Sequence, residues 1–279
     1  MVLHDYYRDR TRAMSRRFDD VAEAYDRWRF SYPAVLYEDI FRWCPADVDA
    51  LEIGIGTGKA TAPMAERLRH IDAVDPNPKM MAVAQKKLAA YKNISYVVTT
   101  LEDFHPQRTY VLVYAASSFQ WISREDRYHM VRSLLDAGGW FARFKTSTFF
   151  EQGNAANDAA IACYEHHIPS YLPVRSEHRT GNEAAYAEAG FVLRFSKEYF
   201  SRHAMTAEDY LAFARTYTEY EMLDEDIRTA FEAEFRSSIG ENTLAVGQRC
   251  ILELAAAKEK TEDGKDLQGG KILHECRKQ

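Results

Sequence analysis

The stretch that most constrains this chain is Leu51-Glu52-Ile53-Gly54-Ile55-Gly56-Thr57-Gly58-Lys59-Ala60. A short apolar run from Ala50 to Ile53 meets three glycines at alternate positions, and a helical pattern follows over roughly Ala60 to Leu68. An apolar run of that length, bounded by turn residues, reads as a buried strand. Glycine has no Cβ, so a loop built this way can take φ > 0 and admit a ligand to its backbone. A helix that starts directly after the loop turns its free N–H groups and positive end toward the same place. The stretch therefore reads as a nucleotide cradle. Two familiar cradles fit badly. A P-loop needs G-x-x-x-x-G-K-[ST], but position 53 is Ile and Ala60 follows Lys59. A dinucleotide fingerprint needs G-x-G-x-x-G, and Lys59 occupies the place of its third glycine.

The pattern that remains is E-x-G-x-G-x-G, in which the glycines face a nucleoside bearing an amino acid. Glu52, Gly54, Gly56 and Gly58 resemble motif I of the class I S-adenosylmethionine-dependent methyltransferases. The resemblance implies S-adenosyl-L-methionine as cofactor and a doubly wound α/β sheet.

Composition sets the outer limits. A chain of 279 residues with 46% hydrophobic content can bury a full core as one large domain, or as a domain plus a cap. The net charge is −6, from 36 basic and 42 acidic residues, without a long basic run, so a generic nucleic-acid surface is disfavoured. Cys44, Cys163, Cys250 and Cys276 are scattered with no C-x-x-C pair, and read as reduced thiols of an intracellular protein. The first residues lack the apolar core of a signal peptide and no run reaches transmembrane length, so a cytoplasmic protein without membrane association is expected.

Taken from the amino terminus, Phe18, Val21, Ala22 and Tyr25 form a helical stripe. The string through Tyr25, Arg29, Tyr32 and Pro33 is similar to the F-x-x-x-A-x-x-Y-x-x-x-R-x-x-Y-P segment of small-molecule methyltransferases related to trans-aconitate methyltransferase. By that resemblance the segment folds over the cofactor's amino-acid end, with Tyr25 and Arg29 near its carboxylate, which an Arg can pair. A strand over Ile71 to Val74 ends in Asp75, 17 positions after Gly58. A carboxylate there can accept bonds from both ribose hydroxyls. A helix from Lys79 to Ala90 follows, opening with Met80 and Met81, which could touch the adenine or simply fill the core. The third strand, Ile94 to Val98, leads to Leu101-Glu102-Asp103, the turn that meets the adenine in the family.

The fourth strand, Tyr110 to Ala115, is a continuous apolar run. It carries Val111 where the family usually has Asp, a difference expected to disturb loops beside the cofactor. Ala116-Ser117-Ser118-Phe119-Gln120-Trp121 resembles the family's a-x-a-F-H-W, with Gln120 in the place of His. Gln120 can hydrogen-bond a substrate but cannot act as a base near neutral pH. Trp121 is a candidate pocket wall. A helix from Arg124 to Leu135, a terminating turn at Ala137-Gly138-Gly139 and a strand from Trp140 to Thr146 complete five strands alternating with helices.

The second half is less regular. A helix at Ala184–Ala189 and strands at Phe191–Phe200 and Thr243–Leu254, the last antiparallel, would complete seven strands. Insertions at about 147–181 and 201–240 leave from the ligand-bearing edge and are expected to form a helical cap, within a methyltransferase domain spanning 17–257. The tail, 258–279, is charged and glycine-bearing and reads as disordered. The insertions are rich in aromatics: Phe149, Phe150, Tyr164, Tyr171, Tyr210, Phe213, Tyr217 and Tyr220. His166 and His167 are expected to point apart and no His or Cys pair shows ligand spacing, so no metal is expected.

The function expected is methyl transfer from S-adenosyl-L-methionine to a small molecule held between the cap, including Tyr217, and Gln120–Trp121. No base stands out, although His203, Tyr217 and Glu219 lie in or beside the cap. Two alternatives remain, a nicotinamide-dependent oxidoreductase and a cofactor-binding protein without catalytic activity. Oligomeric state is not readable from the sequence.

Overall fold

The computed structural model describes residues 17–122, 126–173, 183–217, 220, 222–258 and 273–274. The short apolar runs become the strands β1 (Asp49–Ile53), β2 (His70–Asp75), β3 (Ile94–Val98), which is the edge of the sheet, and β4 (Tyr110–Ala116), each parallel to its neighbours. Three longer strands follow, β5 (Leu135–Phe150), β6 (Phe191–Met205) and β7 (Leu244–Ala257). β5 runs parallel to β4, while β7 lies antiparallel between β5 and β6. The order is β3-β2-β1-β4-β5-β7-β6, the expected seven-stranded sheet. An eighth strand, β8 (Leu273–His274), pairs with β6. The rest of the tail lies outside the described residues, as does the expected start of the helix at Arg124.

Helices cover both faces. α1 (Ala22–Trp28) and α2 (Ala34–Trp43) precede the sheet, and α3 (Thr61–Ala65) and α4 (Pro78–Lys87) alternate with its first strands. α5 (Arg127–Ser133) and α7 (Glu183–Glu188) pack on the other face, and α6 (Ala155–His167), α8 (Ala207–Ala214) and α9 (Glu225–Ile239) form the cap. Strand β4 shows why its text is apolar throughout. Leu112 and Tyr114 pack toward Leu36, Ile40 and Met64, while Val113 and Ala115 pack toward Val131 and Tyr186. Successive side chains alternate faces, and both faces are covered. No described helix is long and apolar enough to cross a membrane.

The cap differs from the expected pair of insertions. β5, β6 and β7 are 16, 15 and 14 residues long, and their far ends run on into the cap core. The chain therefore leaves the sheet at Phe150 and Met205 rather than at residues 147 and 201. Gly138 and Gly139 do not end a helix before the strand; they lie inside β5, next to an irregularity in its register with β4. Phe149 pairs across from Gly247, and its ring fills the space that a Cβ at Gly247 would need. An aromatic laid over a cross-strand glycine is a recognised way of stiffening such a strand.

α6 occupies sequence that shows no apolar period. Its buried positions are Ala156, Asn157, Ala160, Cys163 and Tyr164, a helical spacing written in small and polar residues. Asn154 caps its first turn by accepting from the Asn157 N–H at 3.0 Å. Asn157 then donates to the Glu151 and Ala245 carbonyls at 2.7 and 2.9 Å, and accepts from the Ala245 N–H at 3.0 Å. Those bonds satisfy a fully buried amide and tie the cap to β7. His166 and His167 do not point apart: each reaches the same carboxylate oxygen of Glu234, at 3.0 and 2.8 Å.

Candidate active site

A cavity of about 800 Å³ opens at the carboxyl ends of β1, β2, β4 and β5. In an open α/β sheet this is where the strand order reverses and ligands bind. The glycine loop and Asp75 form its floor, and residues 98–103 close one side. The amino-terminal segment covers it through Phe18, Tyr25 and Arg29, and the cap reaches it through Phe213 and Tyr217. Its volume falls within the roughly 300–1,000 Å³ of small-molecule sites.

Asp75 is the most tightly determined group on the floor. Its Oδ2 accepts from the Gly56 N–H at 2.8 Å, and its Oδ1 accepts from the Asn77 N–H at 2.8 Å and from Asn77 Nδ2 at 3.0 Å. Burial pushes the carboxyl above the ordinary carboxylate range, against the lowering by the Asn77 and Gly56 bonds. The side chain is 5% exposed yet lines the cavity, so it presents a fixed acceptor there. Sequence reading missed Asn77, although the Asp75-Pro76-Asn77-Pro78 turn was a visible signal for a local hydrogen-bonding residue.

The glycines divide their work. A Cβ at Gly54 would overlap the Ser118 side chain, and one at Gly58 would lie 2.6 Å from Leu88 Cδ1. Both are demanded by packing. At Gly56 a Cβ would meet only Met80 Cε, at 3.6 Å, which leaves that backbone open to the cavity. Gly58 itself does not line the cavity, and neither does Glu52. Glu52 lies beneath, where its Oε2 accepts from Thr61 Oγ1 and Tyr114 Oη, both at 2.8 Å. It braces β1 against β4 and α3. Its Oε1 has no partner among the described residues, and burial pushes the carboxyl up to about 8. The helix after the loop is also shorter than expected: α3 has five residues, so little dipole is aimed at the floor.

The covering segment is held from three sides. Lys59 donates to the Asp26 carbonyl at 2.6 Å, anchoring α1 to the glycine loop. Phe18 packs edge-on against Trp121, ring centroids 5.3 Å apart. Arg29 donates from Nε to Thr216 Oγ1 at 2.7 Å and from Nη2 to the Thr216 carbonyl at 3.2 Å, and its guanidinium stacks 3.4 Å from the Tyr217 ring centre. The Arg29 guanidinium also lies 5.2 Å from the Tyr25 ring centre, and burial pushes the Tyr25 hydroxyl up. Tyr25 and Arg29, read together from the sequence, are thus joined by Tyr217, which was assigned to the cap.

Leu101, Glu102 and Asp103 line the cavity as one turn. Thr100 Oγ1 donates to Asp103 Oδ2 at 2.9 Å and accepts from the Asp103 N–H at 3.2 Å. Met80 also lines the cavity, whereas Met81 is core. Gln120 lines it while donating to the Ser117 carbonyl at 2.7 Å. Tyr32 donates to Ser117 Oγ at 3.0 Å and lines the same wall, a contact that sequence reading missed.

Other expectations are not met. Val111 sits at the amino-terminal end of β4, away from the cavity, which β4 meets through Ala116. His203 stacks on Phe30 at 3.6 Å and shares a 3.0 Å contact with Gln248 Oε1, outside the cavity lining. Glu219 lies outside the described residues. Of the eight cap aromatics only Phe213 and Tyr217 line the cavity; Phe150, Tyr164, Tyr210 and Tyr220 are the cap's own core.

Comparison with known proteins bears on the same region. Residues 50–139 match the family described as methyltransferase domain. Malonyl-[acyl-carrier protein] O-methyltransferase 1 of Ilyobacter polytropus is 35% identical over 106 residues, covering 36% of this chain and 40% of that protein. Trans-aconitate 2-methyltransferase of an Enterobacter species is 30% identical over 89 residues, covering 31% and 33%. The chain thus spans well under half the length of these relatives. A solved structure assigned as a type II methyltransferase from Anaeromyxobacter dehalogenans shares the fold, with TM-score 0.55 and 20% identity over 81% of this chain and 97% of that one. The glycine motif, the sheet order and the family match over residues 50–139 agree in supporting a class I S-adenosylmethionine-dependent methyltransferase domain.

Proposed function

We propose that the chain binds S-adenosylmethionine in this cavity and transfers its methyl group to a small-molecule acceptor seated under the cap. One observation carries the reading: a single cavity is lined both by Asp75 and Gly56 of the floor and by Thr148, Phe213 and Tyr217 beside the cap. The residues fit the cofactor. Asp75 already accepts three bonds of the about four a carboxylate can take, so one position, on Oδ2, is left for a ribose hydroxyl. The open backbone at Gly56 suits a close approach, and the Leu101–Asp103 turn can meet an adenine edge. Arg29, beside Tyr25, can face a carboxylate at the amino-acid end. The bound cofactor supplies a methyl group already activated on a sulfonium.

What the protein must add is alignment and exclusion of water. Holding a nucleophile in line with the transferred group can supply roughly 7–11 kcal/mol. Phe213, Tyr217 and Trp121 give the cavity apolar walls. No histidine among the described residues lines the cavity, and burial pushes the Tyr25 and Tyr32 hydroxyls up, which makes them poor bases. The acceptor is therefore one whose attacking atom need not lose a proton before attack at neutral pH, and a carboxylate is the first to test. The names of the two curated relatives, which specify malonyl and aconitate acceptors, point the same way.

The test offers labelled S-adenosylmethionine with a library of small carboxylates and amines, and separately with bulk tRNA or protein. Label on a small molecule supports the reading. Robust label on a polymer, with none on any small molecule, contradicts it.

A further inference from the structure

Away from the cavity, a cluster of side chains with metal-ligating atoms converges between two cap helices among the described residues. Cys163, His166 and His167 stand at i, i+3 and i+4, on one face of α6. Glu234 reaches them from α9, with Oε2 3.0 Å from His166 Nδ1 and 2.8 Å from His167 Nε2. Donor atoms of Cys163, His167 and Glu234 all lie within 4.8 Å of one another. We propose that Cys163, His166, His167 and Glu234 are the four ligands of a divalent-cation site, best suited to zinc, that clamps α6 to α9 inside the cap.

Three features support that assignment. The first is spacing. Tetrahedral zinc holds N, O and S donors at about 2.0–2.3 Å, which sets them roughly 3.3–3.7 Å apart. The two imidazole-to-carboxylate distances, 3.0 and 2.8 Å, lie just below that range, and the Cys163, His167 and Glu234 donors lie within 4.8 Å of one another. His166, whose ring nitrogen meets the cluster only through Glu234, completes the set by turning its exposed ring. The second is charge. One thiolate and one carboxylate neutralise the dication, while both imidazoles stay neutral, so the half-buried centre carries no net charge. Binding breaks the Cys163 S–H bond, and the proton leaves to solvent. The third is position. Cys163 is buried, its Sγ 3.6 Å from the Phe231 carbonyl, whereas His166 is 66% exposed and opens the cluster to solvent. A mixed thiol, imidazole and carboxylate set prefers zinc to the hard cations calcium and magnesium. None of the four residues lines the cavity, so the site is independent of the methyl-transfer reading.

The full chain, stripped with a chelator and dialysed, is titrated with zinc by calorimetry and with cobalt(II) by absorbance. One ion per chain is expected, with a thiolate-to-cobalt charge-transfer band that is missing in Cys163→Ala. Zinc affinity should fall about tenfold or more in Glu234→Gln and His167→Asn. Zinc should raise the Tm of the wild-type chain and raise that of Glu234→Gln by clearly less at the same zinc concentration. If Cys163→Ala does not fold, Glu234→Gln, altered only at a half-exposed carboxylate, carries the test. Absence of saturable binding at micromolar zinc would overturn the proposal. So would binding that persists unchanged in every variant that folds, which places the ion elsewhere.

Discussion

The Arg29 guanidinium lies 3.4 Å from the centre of the Tyr217 ring and is fastened there by Thr216. Those two residues are far apart in the chain, one in the segment over the cavity and the other in the cap. Their stack closes the cavity's roof.

Loss of the stack should loosen the roof first. Arg29→Ala removes a half-buried cation–π contact worth about 1–2 kcal/mol together with two hydrogen bonds. Hydrogen exchange over residues 17–33 should speed up in the variant, and S-adenosylmethionine should bind more weakly. Unchanged exchange there would show that Lys59 and Phe18 hold the segment without Arg29.

The buried Glu52 predicts a pH dependence of stability. Desolvation raises its folded-state pKa to about 8 from an ordinary value of 4.5, against the lowering by Thr61 and Tyr114. The folded chain therefore holds this proton more tightly than the unfolded chain. Its contribution is fully present below the unfolded value and is lost as pH rises through the folded one. The neutral isostere Glu52→Gln isolates the effect from the surface carboxylates. The Tm difference, wild type minus variant, should fall between about pH 5 and about pH 8 and level off above it. A difference that rises over that window would mean that Glu52 is held ionised.

Packing separates the first two glycines of the loop. Gly54→Ala drives a Cβ into Ser118 at φ 74°, whereas Gly56→Ala meets only a flexible methionine tip at φ 55°. The first change should cost several kcal/mol by overpacking and backbone strain, the second about 1–2 kcal/mol. Gly56→Ala should nonetheless weaken S-adenosylmethionine binding, because its new methyl group narrows the open side of the floor. Chemical denaturation and calorimetry on both variants check the pair. Equal stability losses would contradict the division of roles.

The inner sheet and the floor were legible because their physics is local. Strands buried on both faces read as continuous apolar runs, and Asp75 follows one of them directly. Glu52 was visible as part of a motif, but its duty depends on Tyr114 and Thr61, which only the folded sheet brings to it. The cap was harder to read. The buried face of α6 is Ala, Asn and Cys, which an apolar count does not register. The outer half of β5 carries Thr146 and Thr148 toward the cavity, so its alternation resembles a loop. The interruption at Gly138–Gly139 likewise looked like a terminus, although the strand continues through it.

The most direct test of the account is calorimetric titration of S-adenosylmethionine into the wild-type chain and into Asp75→Ala, with NAD as the competing ligand. Saturable binding of S-adenosylmethionine by the wild type is expected, with no comparable binding of NAD. Loss of the buried carboxylate should weaken it by about 1.5–3 kcal/mol, roughly tenfold to a hundredfold or somewhat more. An unchanged dissociation constant in a folded Asp75→Ala variant, or tighter binding of NAD than of S-adenosylmethionine, would contradict the assignment of this cavity.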